Sequence, residues 1–136
     1  MTTPQSILFV EAILAVPLLI LGISHICQRQ MWIDFFEELA EKGEAGVIWR
    51  TFLFEIWPAI IIVVAHQDWQ WPGLAITVYG NLLLAKVTLS LLFPQLGLHS
   101  LKQAKRFGGN AFVVAGALLV LLGALCAYRV APLYLA

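Results

Sequence analysis

Trp49-Arg50-Thr51-Phe52-Leu53-Phe54-Glu55-Ile56-Trp57-Pro58, followed by the apolar run Ala59 to Ala65, decides the fold, because it carries Arg50 and Glu55 into a segment otherwise apolar enough to cross a membrane. A carboxylate at bilayer depth costs at least about 2.5 kcal/mol unless something compensates it. Glu55 therefore requires a partner, and the other charge at comparable depth is Lys86, in the next apolar segment.

The rest of the chain fits that setting. A mean hydropathy of +0.88 with 61% hydrophobic and 12% charged residues lies far from soluble globular composition, where about a quarter of residues are charged. The 136 residues leave room for four spans of about 20 residues with short connections, hence a single transmembrane domain over 1–136. A formal net charge of zero supplies no basic stripe to neutralise phosphates, which excludes nucleic acid as an expected partner.

Working outward from Glu55, the second span covers about 47–66, and Pro58 is expected to kink it because proline lacks the N–H that would bond one turn back. Before it, residues 31–43 place Trp32, Phe35, Phe36 and Leu39 at helical spacing among Asp34, Glu37, Glu38, Glu41 and Lys42. That pattern is an amphipathic helix, too polar to cross and expected along the interface. The first span covers about 7–26, interrupted by Glu11 and Pro17, and has no positive start or small-x-small cleavage site, so it is expected to be retained. The third covers about 74–93, where Pro94 stops it, and a further helix can start near Ser100 and lead into the fourth span, about 111–128. Gly109, Gly116 and Gly123 recur every seven residues there, a small-residue seam for close helix packing within the chain or, alternatively, for self-association.

Arg29, Lys42, Lys102, Lys105 and Arg106 fall in the connections after the first and third spans, whereas the opposite side carries only Arg129. The positive-inside rule then makes the basic side cytoplasmic and places both termini outside. The amphipathic helix is accordingly a cytoplasmic-side one. Cys27 and Cys126 fall near opposite faces, too far apart to pair, since a disulfide needs Cα atoms within about 7 Å.

With consecutive spans antiparallel, Glu55 lies roughly 13 Å and Lys86 roughly 11 Å from the cytoplasmic ends of their helices. Spans joined by a turn as short as 67–73 are normally neighbours, so the two heads are expected to meet. Arg50, one to two turns deep, either snorkels to the headgroups or reaches towards Glu55. Thr51, Ser90, Asn81 and Tyr79 are candidates to satisfy the remaining donors and acceptors. Glu11 lies about 6 Å inside the outer face, where it reads as a solvated carboxylate, with a binding role as the alternative. His25, His66 and His99 sit at helix ends as solvated or capping rings; a metal or quinone contact at His25 and His99, near Glu37 and Glu38, is the minor alternative. No metal-ligand, nucleophile or phosphate-loop pattern is present, so no catalytic residue, metal or cofactor is expected.

Gly22-x-x-His25 at the end of the first span, the helix with Phe35 and Phe36, and the mid-span Glu55 together resemble the DoxX-like proteins, small four-helix bacterial membrane proteins. The resemblance covers the first half of the chain. It implies a four-helix membrane fold in the bacterial inner membrane, and for some members an association with membrane oxidoreductases. The chain lacks an arginine early in the first span and the family's Gly-rich, Ser-Asp ending.

The sequence therefore leads to an all-α, integral membrane four-helix bundle with one amphipathic interfacial helix, in contact with the lipid bilayer. The expected role is an accessory or scaffold component of a larger membrane complex, organised around a buried Glu55–Lys86 pair. A second reading is a small carrier or channel binding an ion or amphipathic solute at that pair. The third, implied by the resemblance, is a redox-associated subunit. Replacing both Glu55 and Lys86 by leucine is expected to be tolerated if the pair is only structural.

Overall fold

The computed structural model describes residues 2–135; Met1 and Ala136, the ends of the expected domain, lie outside the described residues. In chain order the helices are α1 (Pro4–Cys27), α2 (Arg29–Glu41), α3 (Glu44–Arg50), α4 (Ile56–Ala65), α5 (Leu74–Leu92), α6 (Pro94–Arg106) and α7 (Asn110–Leu135). A π-helical turn, Thr51–Glu55, joins α3 to α4, so that Glu44–Ala65 is one helical span. That span, α1, α5 and α7 are each long and apolar enough to cross a membrane.

Thr3 and Ser6 start α1 by capping each other's backbone N–H groups, at 3.1 and 2.9 Å, with Pro4 in the first turn. Serine or threonine at this position satisfies donors that the helix itself leaves unbonded, and proline there loses nothing. One face of α1 buries Val10, Glu11, Leu14, Leu18 and Gly22, while Phe9, Val16 and Ile20 on the other are exposed. Apolar residues on both faces are what a lipid-facing helix requires, since water would penalise the outer one.

α1 packs along α7 at backbone distance. A Cβ added to Gly116 would stand 2.6 Å from the Gly22 carbonyl oxygen, and one added to Gly22 would stand 2.7 Å from the Gly116 oxygen. Gly123 is equally closed, with the Leu19 backbone nitrogen 2.9 Å from its missing Cβ. The seam expected at Gly109, Gly116 and Gly123 is therefore corrected to Gly116 and Gly123 with Gly22. Gly109 sits before α7, in a turn where it and Gly108 adopt φ of +82° and +59°; glycine takes that backbone conformation without the steric cost other residues bear. Gly116→Val should separate α1 from α7 and cost about 1–3 kcal/mol, read as a lowered melting temperature in micelles; an unchanged melt would mean the helices have room to spare.

α4 packs on α5, where Gly80 admits Ile62 so closely that a Cβ would overlap its side chain. At the end carrying Arg29 and Lys105, α2 and α6 lie against each other and against α3, burying Trp32 and Leu39 from α2 and Gly97, Leu101 and Ala104 from α6. α6 begins at Pro94 rather than near Ser100, because the proline that ends α5 also serves as a first-turn residue of the next helix. α1 therefore pairs with α7 and α4 with α5, and the space between the two pairs positions the site.

Candidate functional site

Pro58 does not simply interrupt its helix. Its missing N–H and its ring disturb the preceding turn, and there the backbone widens into the π-helical turn, with the Ile56 N–H bonded to the Thr51 carbonyl. Such turns are uncommon and concentrate at functional positions. This one carries Thr51 and Glu55, both buried, and brings Glu55 to Lys86 on α5.

Lys86 Nζ donates to Glu55 Oε1 at 2.5 Å, and Arg50 Nε approaches the same oxygen at 3.5 Å. Arg50 thus turns into the protein rather than out to headgroups. It is 2% exposed, and its guanidinium reaches the Gly97 carbonyl (3.5 Å), Ser100 Oγ (3.4 Å) and Ser90 Oγ (3.4 Å). Ser90 takes the supporting role expected of it, whereas three other residues do not. Asn81 Nδ2 donates to the Thr77 carbonyl in its own helix. Thr51 Oγ1 is buried without a partner, as are Glu55 Oε2 and Arg50 Nε by hydrogen-bond geometry. Tyr79 lines the space beside the pair instead of bonding to it.

That space is a chamber of about 620 Å3 between the two helix pairs, within the range of about 300–1,000 Å3 typical of small-molecule sites. Arg50, Glu55 and Lys86 form its charged wall, and leucines of α1 and α7 with Phe54, Trp57 and Phe112 form its apolar walls. An aromatic roof closes the end under α2: His25 stacks on Trp32 at 4.1 Å, and Phe36 meets Phe112 edge-on at 5.0 Å. The His25 Nδ1–H donates to the Leu21 carbonyl at 2.7 Å, and Trp32 Nε1–H donates to Ser24 Oγ at 3.0 Å, fixing both rings. Rim residues Ile13, Leu53, Trp57 and Phe107 are exposed, so the chamber opens laterally.

The expectation of a solvated Glu11 is overturned. Glu11 is fully buried, with Oε1 2.7 Å from His66 Nε2 and Oε2 3.1 Å from Arg129 Nε. Arg129 continues to Asp68 Oδ2 at 2.8 Å, and His66 Nδ1 lies 3.2 Å from Thr77 Oγ1. Gly73 makes room, since a Cβ there would strike the Asp68 carboxylate and Arg129. Burial opposes ionisation of Asp68, but the hydrogen bonds from Arg129 and the Gln70 N–H outweigh it and hold the carboxyl below the usual aspartate range. His66 is likewise a fully buried partner, not a solvated helix end. This second cluster joins α1, α4, α5 and α7 at the end opposite α2. The sequence held one signal of it, four ionisable residues at one end of the spans, but not their lateral contact.

His99 is exposed on α6 and bonds Gln103 at 2.9 Å, away from His25. Cys27 is exposed, Cys126 is buried, and both are free thiols. Among the described residues, no three His, Cys, Asp or Glu side chains stand close enough to hold a metal ion. No family model, curated protein or solved structure matches this chain.

Proposed function

We propose that the protein is a small multi-pass membrane protein that binds an amphipathic solute in the chamber between its helix pairs, as a carrier or a lipid-accessible binding protein. One observation carries this reading: a lateral chamber of about 620 Å3, apolar over most of its wall, ends at Glu55, Lys86 and Arg50, where buried polar atoms lack partners. A purely structural ion pair is enclosed, as Glu11 and His66 are, whereas the side chain of Lys86 is 47% accessible. Sites for small molecules combine apolar walls with a few converging polar groups, which is the composition here.

The accessory or scaffold reading rests on two contact surfaces, the glycine seam and the aromatic face of α2. Both are used within the chain, Gly116 and Gly123 against α1 and Trp32 and Phe36 on the chamber roof. Binding is the better-supported role. Of the residues that carry the DoxX-like resemblance, His25, Phe36 and Glu55 line the chamber, so a shared layout would extend to the site, and the redox-associated role stays attached to that resemblance alone. In the bilayer we place α2 and α6 along the cytoplasmic interface of a bacterial inner membrane, with both termini outside, as the positive-inside rule directs.

The test is photolabelling of the purified protein in nanodiscs with a diazirine-bearing alkyl probe. Saturable label, displaced by excess unlabelled alkyl chain, should concentrate on chamber residues such as Leu21, Phe54 and Phe112. Label confined to lipid-facing residues such as Phe9 and Leu121, and not displaced, would sink the proposal.

A further inference from the structure

Resting on the ligand-binding reading above, we infer that the chamber's ligand is a single-chain amphiphile whose head group carries one negative charge, seated at Lys86 and Arg50. Two cations and one carboxylate meet there, and among the described residues lining the chamber they are the formally charged ones. The cluster therefore holds one surplus positive charge in an apolar cavity, where an uncompensated charge is expensive. An anionic oxygen head neutralises it; a cationic head would meet two like charges.

The donors are also free on the chamber side. An ammonium group has three N–H donors, and Lys86 gives one to Glu55. Its side chain is 47% accessible, against 2% for that of Arg50, so the remaining N–H groups are the part of the cluster a ligand meets first. Arg50 holds its guanidinium behind, on bonds of 3.4–3.5 Å to neutral oxygens, with Nε unbonded. Charge-assisted contacts from such donors are about twice as strong as neutral ones. Glu55 Oε2, an acceptor buried without a partner, favours the competing heads that donate, a neutral hydroxyl or an ammonium. With Nδ1–H given to Leu21, a neutral His25 ring has only an acceptor, Nε2, left to offer. The alkyl chain then runs along Leu18, Phe54, Phe112 and Leu119.

Tritiated dodecanoate, dodecanol and dodecylammonium are to be bound in turn to the protein in phosphatidylcholine nanodiscs, with empty nanodiscs as blank. Dodecanoate should bind more tightly than either of the others by about tenfold or more. Equal or tighter binding of dodecanol or dodecylammonium overturns the charge assignment and leaves the binding reading standing, whereas no saturable binding of any chain overturns the binding reading itself. Lys86→Gln should reduce dodecanoate to the level of dodecanol while Lys86→Arg keeps the preference; a preference that survives Lys86→Gln removes Lys86 from the site. Lysophosphatidylglycerol, a single-chain lipid with one negative charge, added to the nanodisc separates the two sources of such a head. Competition with dodecanoate supports the assignment with a single-chain bilayer lipid as ligand, and its absence supports a free carboxylate.

Discussion

Glu55→Leu should destabilise the protein by about 3–5 kcal/mol, the usual effect of deleting one member of a buried ion pair. Arg50, 2% exposed, and the Lys86 ammonium would then face each other across an apolar wall. Lys86→Met should cost under about 1 kcal/mol, because its side chain is half accessible and Arg50 remains within 3.5 Å of the carboxylate. The double replacement Glu55→Leu with Lys86→Leu separates a two-membered from a three-membered cluster. A simple pair would tolerate it, since apolar replacement of a whole buried pair is often neutral. Here it leaves Arg50 buried with neutral partners only, so the double variant should stay well below wild type, and adding Arg50→Met should recover most of the loss. Melting curves of the four variants in one micelle decide the matter. A double variant as stable as wild type would mean that Arg50 does not depend on Glu55.

Why Arg50 escaped a firm assignment while Lys86 did not is a matter of chain geometry. Depth along a span is readable from residue number at 1.5 Å per residue, and a short turn makes neighbours of consecutive spans, so Glu55 and Lys86 could be matched in both coordinates. Arg50 had two outlets at its depth, and the choice depended on α6, whose Gly97 and Ser100 approach it only after the chain has folded back. Glu11 failed for the same reason: its height was legible, but its partner Arg129 belongs to the last helix and is brought to it by the α1–α7 packing. Gly116 and Gly123 were legible as a seam because helical periodicity carries them; Gly109 shares the spacing but not the helix, which starts at Asn110. The chamber had no sequence signature. Its volume lies between two helix pairs that touch each other only lightly, and the same leucines and aromatics would serve equally well to fill a core.

At the end opposite α2, Glu11→Leu should likewise cost about 3–5 kcal/mol and should loosen the junction between the helix pairs. Elsewhere α1 touches α4 only lightly, whereas at Glu11 one carboxylate holds His66, at the end of α4, and Arg129, on α7. Cys126 reports on this junction. Its thiol is fully buried in the cluster of Val10, Leu14, Ile62 and Ile76 immediately beside Glu11, while Cys27, exposed at the far end of α1, serves as an internal control. N-Ethylmaleimide should modify Cys27 at the same rate in both proteins and Cys126 at least about a hundredfold faster in Glu11→Leu, because reaction at a buried thiol follows the free energy of local opening. Glu11→Gln should fall between the two, keeping an acceptor for His66 while losing the charge opposite Arg129. Arg129 has Asp68 as a second anion, so Glu11→Leu combined with Arg129→Met should regain part of the protection but leave Asp68 to solvent at the turn, where it is only partly buried. If Cys126 stays unreactive in Glu11→Leu, the apolar contacts alone hold the pairs together, and the buried carboxylate is there for some purpose other than joining them.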